Sequence, residues 1–124
     1  MSTLVDTSVL IGADRLSEME VEVEGAWAVS AISIGELDAG VLLAKEPDRR
    51  PSRLRRLTAV LAEAPILGID RAVAARYGEL RAATGRLPTN DLWIAATALA
   101  HDLILLTADE RQAALPLVRT SLLA

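Results

Sequence analysis

The stretch Leu4-Val5-Asp6-Thr7-Ser8-Val9-Leu10-Ile11 decides the fold, because its pattern changes at a single acidic residue. The run from Thr3 to Val5 predicts a short buried strand that stops at Asp6. Thr7 and Ser8 then supply hydroxyl groups that can cap a helix, and the apolar turn Val9–Ile11 follows. The stretch therefore predicts a strand, an acidic residue and a helix in direct succession.

The rest of the chain continues this alternation. The predicted elements are a strand at Trp27–Ile32, a helix capped by Ser33 and ended by Pro47, an amphipathic helix at Ser52–Ala64 with Leu54, Leu57, Leu61 and Ala64 on one face, a strand at Ile66–Ile69, a helix at Arg71–Thr84 closed by Gly85, a helix capped by Asn90 and running to about Asp102, and a strand at Leu103–Leu106. Residues 18–24 alternate acidic and apolar side chains and fit an edge strand or an exposed helical turn equally well. Strands that alternate with helices indicate an α/β fold with a mostly parallel sheet.

Length and composition limit the possible classes of protein. At 124 residues, with 52% hydrophobic residues, the chain is expected to be a single domain over residues 1–124 and not a disordered chain. Cysteine is absent, so a metal would be held by oxygen ligands or by His101, the only histidine. We see no secretory signal and no apolar run long enough to span a membrane, and we expect a cytoplasmic protein.

Four carboxylates are predicted to meet at one edge of the sheet. Asp6 and Asp109 each follow an apolar strand, and Glu36 and Asp91 are each expected in the first turn of a helix. In an open parallel sheet, residues beyond the carboxyl ends of the strands converge on one ligand site. Two such charges about 5 Å apart repel by about 3 kcal/mol at an effective dielectric constant near 20. A divalent cation with oxygen ligands, Mg²⁺ or Mn²⁺, would offset this repulsion.

A cation held in this way predicts hydrolysis of phosphodiesters, because it acidifies a water molecule and neutralises charge on phosphoryl oxygens. Side chains that stand beside the acids are expected to orient ligands or water molecules. These supporting side chains are Thr7, Ser8, Asn90 and Thr107.

Each acid also admits a structural interpretation. The helix dipole alone favours an acidic residue in a first turn, which would explain Glu36 or Asp91. Asp109 can be the cap of a short helix at Glu110–Leu115, and Glu110 can then be the fourth acid. Asp6 is harder to explain in this way, because desolvating an acid at the end of an apolar strand is unfavourable.

Four segments resemble the acidic motifs of PIN domains, especially those of VapC-like toxins. They are Leu4–Ile11, Ser33-Ile34-Gly35-Glu36-Leu37 with Ala39-Gly40-Val41, Asn90-Asp91-Leu92-Trp93-Ile94-Ala95-Ala96-Thr97-Ala98, and Leu105-Leu106-Thr107-Ala108-Asp109. Their order and spacing cover nearly the whole chain. The fourth motif departs from the family, in which the acid often lies a few positions further on.

The resemblance implies an α/β/α sandwich and an endoribonuclease that depends on Mg²⁺ or Mn²⁺. It also implies a catalytic and metal-binding role for the four acids, homodimerisation, and inhibition by a VapB-like antitoxin. The acids concerned are Asp6, Glu36, Asp91 and Asp109.

A basic stretch offers a second place for contacts, although the net charge of the chain is −4. It could bind RNA phosphates, contact a dimer or antitoxin partner, or form a solvated helix face. Its arginines are Arg49, Arg50, Arg53, Arg55 and Arg56. We interpret His101 and Trp93 as structural, the former near a helix end and the latter in the core.

Three other functions are compared with the nuclease. A receiver-type signalling domain needs a lysine after a late strand, whereas the only lysine here is Lys45. A haloacid-dehalogenase-like phosphatase needs a second acid two residues after the first, where this chain has Ser8. A PIN-like binding module without catalysis would not need all four acids.

Overall fold

A computed structural model describes residues 1–11, 13–23, 25–85 and 87–123, and only the backbone of residues 13, 14 and 16. The elements are β1 (Thr3–Val5), α1 (Thr7–Leu10), α2 (Ala13–Glu22), β2 (Trp27–Ser30), α3 (Ala31–Leu42), α4 (Arg49–Glu63), β3 (Ile66–Leu67), α5 (Arg71–Thr84), α6 (Thr89–Ala100), β4 (Ile104–Thr107), α7 (Glu110–Ala113) and β5 (Thr120–Leu122). The alternation of strands and helices expected from the sequence is therefore confirmed.

The five strands form one sheet in the order β3-β2-β1-β4-β5. All the strand pairings described are parallel, and Leu4 of β1 lies between Ala28 of β2 and Leu105 of β4. The chain first builds the sheet outward from β1 through β2 to β3, and then returns to the other side of β1 for β4. The carboxyl ends of β1 and β4 therefore border the crevice where the strand order reverses, which is the place where open α/β sheets bind ligands.

Helices cover both faces of the sheet, as the predicted α/β/α sandwich requires. Consecutive strand residues point to opposite faces. Leu4 and Leu105 accordingly belong to one buried cluster, which contains residues of α5 and α6, while Val5 and Leu106 belong to a second cluster with residues of α1–α4. Helix α6 is buried on most sides, as expected for the central helix.

Several helix starts differ from the sequence prediction. The side chain of Ser30, not Ser33, caps α3 by accepting a hydrogen bond from the Ile32 backbone N–H at 3.0 Å. Strand β2 consequently ends two residues early, and Glu36 lies in the second turn of α3 instead of the first. Asp6, not Thr7 or Ser8, caps α1 through a bond from the Ser8 backbone N–H.

The start of α6 also differs, because Asn90 is not its cap. The helix begins at Thr89, after Pro88, and no side chain caps it. Pro88 occupies the cap position, and its ring has no oxygen that could accept a hydrogen bond from the N–H groups of the first turn. Asn90 therefore lies inside the first turn, next to Asp91.

The buried face of α4 is rotated from the predicted one. The helix begins at Arg49 and buries Leu57, Val60 and Ala64, whereas the predicted core residues Leu54 and Leu61 are 50% and 47% exposed. Helical periodicity alone does not decide between the face with Leu54 and Leu61 and the face with Val60, because each has apolar residues at helical spacing. The stripe that includes Val60 belongs to the cluster that also contains α3.

Two segments gain an assignment from the structure. Residues 18–22 belong to α2, in which Met19 is fully buried, so the acidic segment is helical up to Glu22, and Glu24 lies outside the described residues. Strand β5 was not expected, and it pairs with β4 through Thr120 opposite Leu105.

Helix α5 and its closing residue Gly85, which has a φ of 70°, agree with the prediction. No helix among the described residues is long and apolar enough to cross a membrane.

Candidate active site

Asp6 lies directly after β1 in the crevice and is only 3% exposed. Its Oδ2 atom accepts hydrogen bonds from the Ser8 backbone N–H at 3.1 Å and from the Ser8 hydroxyl at 2.6 Å. The hydroxyl of Thr107, at the end of β4, is 3.1 Å from the same oxygen. Ser8 also accepts a bond from the Ala108 backbone N–H at 2.9 Å, so the ends of β1 and β4 are tied together around this carboxylate.

The second oxygen of Asp6 has a different environment. Oδ1 is buried and has no hydrogen-bond partner among the described residues. A buried acceptor without a donor is unfavourable, and buried polar groups are nearly always paired. A cation is the kind of group that would pair with it, because the neighbouring side chains named above are bonded to the other oxygen.

Asp91 is half-buried in the first turn of α6. Its pKa is raised above the ordinary value of 3.8, first by burial and then by the negative charges of Asp6, Asp109 and Glu36, while Arg111 acts in the opposite direction. The charges of the other three predicted acids therefore act on Asp91, although the four residues come from separate parts of the chain. This repulsion at Asp91 is of the kind that a divalent cation removes.

Glu36 is connected to this cluster through Thr7. The Thr7 hydroxyl donates to Glu36 Oε1 at 2.8 Å and lies 2.8 Å from the Ser33 hydroxyl. Thr7 immediately follows Asp6 in the chain. The start of α1 therefore fixes the position of Glu36 relative to Asp6. The predicted supporting role of Thr7 and Ser8 is consistent with these contacts.

Asp109 is both a helix cap and a member of the cluster. Its Oδ1 accepts from the Arg111 backbone N–H at 2.9 Å and thereby caps α7, as one of the two interpretations of the sequence expected. Its own backbone N–H donates to the Thr107 hydroxyl at 3.1 Å. Glu110 is exposed and is not among the charges that act on Asp91. The geometry therefore favours Asp109 as the fourth acid.

Gln112 is a site residue that sequence reasoning missed. It is 2% exposed, its Oε1 accepts from the Thr107 hydroxyl at 2.9 Å, and its Nε2 donates to the Asp91 backbone carbonyl at 3.3 Å. A carbonyl oxygen can only accept, which fixes the orientation of the amide. Gln112 therefore connects the end of β4 to the start of α6.

Asn90 and Trp93 are neighbours of Asp91 on α6. Asn90 is exposed and makes no side-chain hydrogen bond to another described residue, and its expected role in orienting ligands or water molecules stays a prediction. Trp93 stacks on Tyr77, with 3.8 Å between ring centroids and 10° between planes. This contact agrees with its interpretation as a core residue.

The donor set suits a hard cation. In the described ranges, no three acidic or histidine side chains form a closed set of metal ligands. Mg²⁺ does not need one, because it keeps several water molecules and binds through one or two carboxylates. The unpaired oxygen of Asp6 and the raised pKa of Asp91 are the two features that fit such an ion.

An α/β/α sandwich with four acidic residues near the reversal of its strand order is the arrangement that the resemblance to PIN domains implied. The model of the PIN domain family matches residues 3–117, and the chain belongs to that family.

Within the PIN family, the chain is most informatively compared with three relatives. The chain is similar to Ribonuclease VapC4 of Mycobacterium tuberculosis, with 42% identity over 91% of this chain and 90% of the relative. It is 36% identical to Ribonuclease VapC5 of the same organism, over 90% of this chain and 86% of the relative. The crystal structure of VapBC-5 from M. tuberculosis, a member of the VapBC family of toxin-antitoxin systems, matches with a TM-score of 0.84 and 33% identity over 98% of both chains.

Proposed function

We propose that this protein is a VapC-like toxin, an Mg²⁺-dependent endoribonuclease that hydrolyses RNA phosphodiester bonds and is neutralised by a VapB-like antitoxin. The observation that carries the proposal is the cluster of four carboxylates in which a buried oxygen of Asp6 has no donor. The names of the relatives, which are ribonucleases of the VapC series, support the activity. Mn²⁺ is an alternative cation for the same oxygen ligands.

In this proposal the cation would lie within the cluster of Asp6, Glu36, Asp91 and Asp109, bound directly by one or two of these carboxylates and through water molecules by the others. The chemistry that such a cation supplies is the acidification of water and the neutralisation of charge on phosphoryl oxygens. The protein's own contribution is to keep the carboxylates in place before substrate arrives. Thr7 does this for Glu36, and the bonds from Ser8 leave Asp6 Oδ1 free to face a ligand.

The solved relatives support one proposed partner. The VapBC-5 structure belongs to a toxin-antitoxin system, and this supports an antitoxin as partner of the present chain. We also propose a homodimer, as the family resemblance implies, and a cytoplasmic location.

The test is cleavage of single-stranded RNA by the purified protein in Mg²⁺ and in excess EDTA. We expect products only in Mg²⁺. Asp91→Asn should reduce the rate by more than the 10- to 100-fold that loss of an outer ligand partner typically causes. Asp38→Asn, which removes an exposed carboxylate from the same protein without touching the cluster, is the matched control and should cleave at the wild-type rate.

Two outcomes would contradict the proposal. One is cleavage that persists in EDTA, because the cluster would then have no metal to hold. The other is an intact protein that binds its partner but leaves RNA uncut in Mg²⁺, which would favour a PIN-like module without catalysis.

A further inference from the structure

A groove runs from the acidic cluster along α4. One part of it, about 330 Å³ in volume, is lined by Ile11, Glu36, Leu37, Gly40, Arg53 and Arg56. The second part, about 320 Å³, shares Ile11, Arg53 and Arg56 and extends to Asp48, Arg49 and Ser52. Because three lining residues are common to both parts, we treat them as one continuous groove, here called the arginine groove. It begins at Glu36, a member of the carboxylate cluster.

The helical spacing of α4 selects three of its five arginines for this groove. Arg49, Arg53 and Arg56 are at positions i, i+4 and i+7, which lie on one face of a helix. Their Cα atoms span about 10 Å along the helix axis at 1.5 Å per residue. Arg55 is exposed and does not line either part of the groove.

The three guanidinium groups differ in whether they already have a hydrogen-bond or ion-pair partner. Arg49 is ion-paired with Glu46 at 3.0 Å, and Nη1 of Arg53 donates to the Gly40 carbonyl at 2.6 Å. Arg56 is half-buried, and its guanidinium group has neither a hydrogen bond nor an ion pair with any residue that the structure describes. A half-buried guanidinium without a partner retains its full capacity to bind an anion.

We infer that the arginine groove is a subsite for the RNA strand, in which Arg56 and Arg53 bind backbone phosphates next to the bond that is cut. This inference rests on the proposed nuclease function and identifies how the strand is placed. The hydrogen bond to Gly40 orients Arg53, and Arg56 supplies the free charge. An RNA strand fits better than an acidic polypeptide, because the groove leads directly to the acids that would act on a phosphodiester.

The test compares Arg56→Gln with Arg55→Gln, two substitutions that remove the same charge from the same turn of α4. The probe is a single-stranded RNA of about ten nucleotides, within the length that single-strand-binding sites usually cover. Affinity is measured at several salt concentrations in EDTA, where no cleavage occurs, and cleavage is then measured in Mg²⁺.

We expect Arg56→Gln to weaken RNA binding about three- to tenfold at low salt. The slope of log K against log salt should decrease by about 0.7, the value for one phosphate contact on a single strand. In Mg²⁺ the KM should rise while kcat is nearly unchanged, as expected when substrate and transition state lose the same interaction. Arg55→Gln should leave affinity, slope and KM unchanged, and Arg56→Lys should restore part of the slope.

Equal effects of the two substitutions, or an unchanged slope in Arg56→Gln, would overturn the subsite. Weaker binding of a co-purified partner polypeptide with intact RNA affinity would also overturn it, and would assign the groove to a protein. These results leave wild-type cleavage in Mg²⁺ intact, whereas failure of the proposed function appears as a wild-type protein that does not cleave at all.

Discussion

The two sides of the acidic crevice hold their carboxylates in different ways. Asp6 is almost completely buried, and one of its oxygens receives two bonds from Ser8 with Thr107 close by. Asp91 is half-buried, has no side-chain hydrogen bond to another described residue, and has a raised pKa. The fold therefore supplies hydrogen-bond donors to one oxygen of Asp6, whereas it disfavours the charge of Asp91. Without a cation, Asp6 keeps one unpaired buried oxygen, whereas the whole charge of Asp91 is disfavoured by burial and by its acidic neighbours. Substitutions at the two residues can measure this difference.

The largest contrast is expected in stability without metal. In EDTA at neutral pH, Asp6→Ala should lower the free energy of unfolding by about 1–2 kcal/mol, the usual effect of losing an N-cap. Asp91→Asn should raise the melting temperature, because it removes a charge that burial and three carboxylates disfavour. Thermal and chemical denaturation of both variants measure this difference.

The control is the same comparison in saturating Mg²⁺. A ligand that binds only the folded state stabilises it by mass action, so wild type should gain and both variants should gain less. A destabilised Asp91→Asn in EDTA would show that Asp91 is a structural residue of the helix start, and the contrast between the two sides would disappear.

The positions of the four acids were predictable from the sequence to different extents. Asp6 and Asp109 follow apolar runs, and an acid at the end of a buried strand is visible in a linear pattern. The predicted position of Glu36 in its helix was wrong, because Ser30 and Ser33 are equivalent as caps by residue type. Only the packing of β2 against β1 decides between the two serines. The convergence of the acids was predicted from the rule for parallel sheets and not from any local signal.

Features that arise only from tertiary contacts were not predictable. Gln112 is one of three polar residues in a four-residue helix, and nothing in the local sequence indicates that it is the buried one. Strand β5 has a polar start and forms because β4 offers a free edge. The sequence showed a basic run on α4, but only the groove distinguishes Arg56 from Arg55.

Gln112 tests whether the two sides are coupled. Gln112→Met preserves the volume of the side chain but removes the bonds to Thr107 and to the Asp91 carbonyl. Affinity for Mn²⁺, measured by electron paramagnetic resonance of the free ion, should fall about 10- to 100-fold, as for other residues that orient metal ligands. RNA cleavage should require correspondingly more Mg²⁺.

Thr97→Val is the matched control for Gln112→Met. It removes a buried hydroxyl that donates to the Trp93 carbonyl at 2.9 Å on α6, away from the acids. A similar loss of stability with unchanged Mn²⁺ affinity is expected. If both variants weaken Mn²⁺ binding equally, Gln112 contributes only to general stability and does not position Asp91.

The smallest effect is the pH dependence of stability in EDTA. The raised pKa means that folded Asp91 still holds its proton at pH values where unfolded Asp91, with its ordinary pKa of 3.8, has released it. The folded state binds more protons in this interval, so its stability falls as the pH rises from about 3.8 through the raised pKa. Asp91→Asn lacks this loss.

The difference in unfolding free energy between Asp91→Asn and wild type should therefore grow across that interval and become constant above it. Subtracting the two curves cancels the other carboxylates, which titrate in both proteins, to the extent that their own pKa values are unchanged. A difference that is flat from pH 3 to pH 8 would mean that the charge of Asp91 is not disfavoured by its neighbours. The electrostatic argument for a cation beside Asp91 would then be lost, and only the unpaired oxygen of Asp6 would support one.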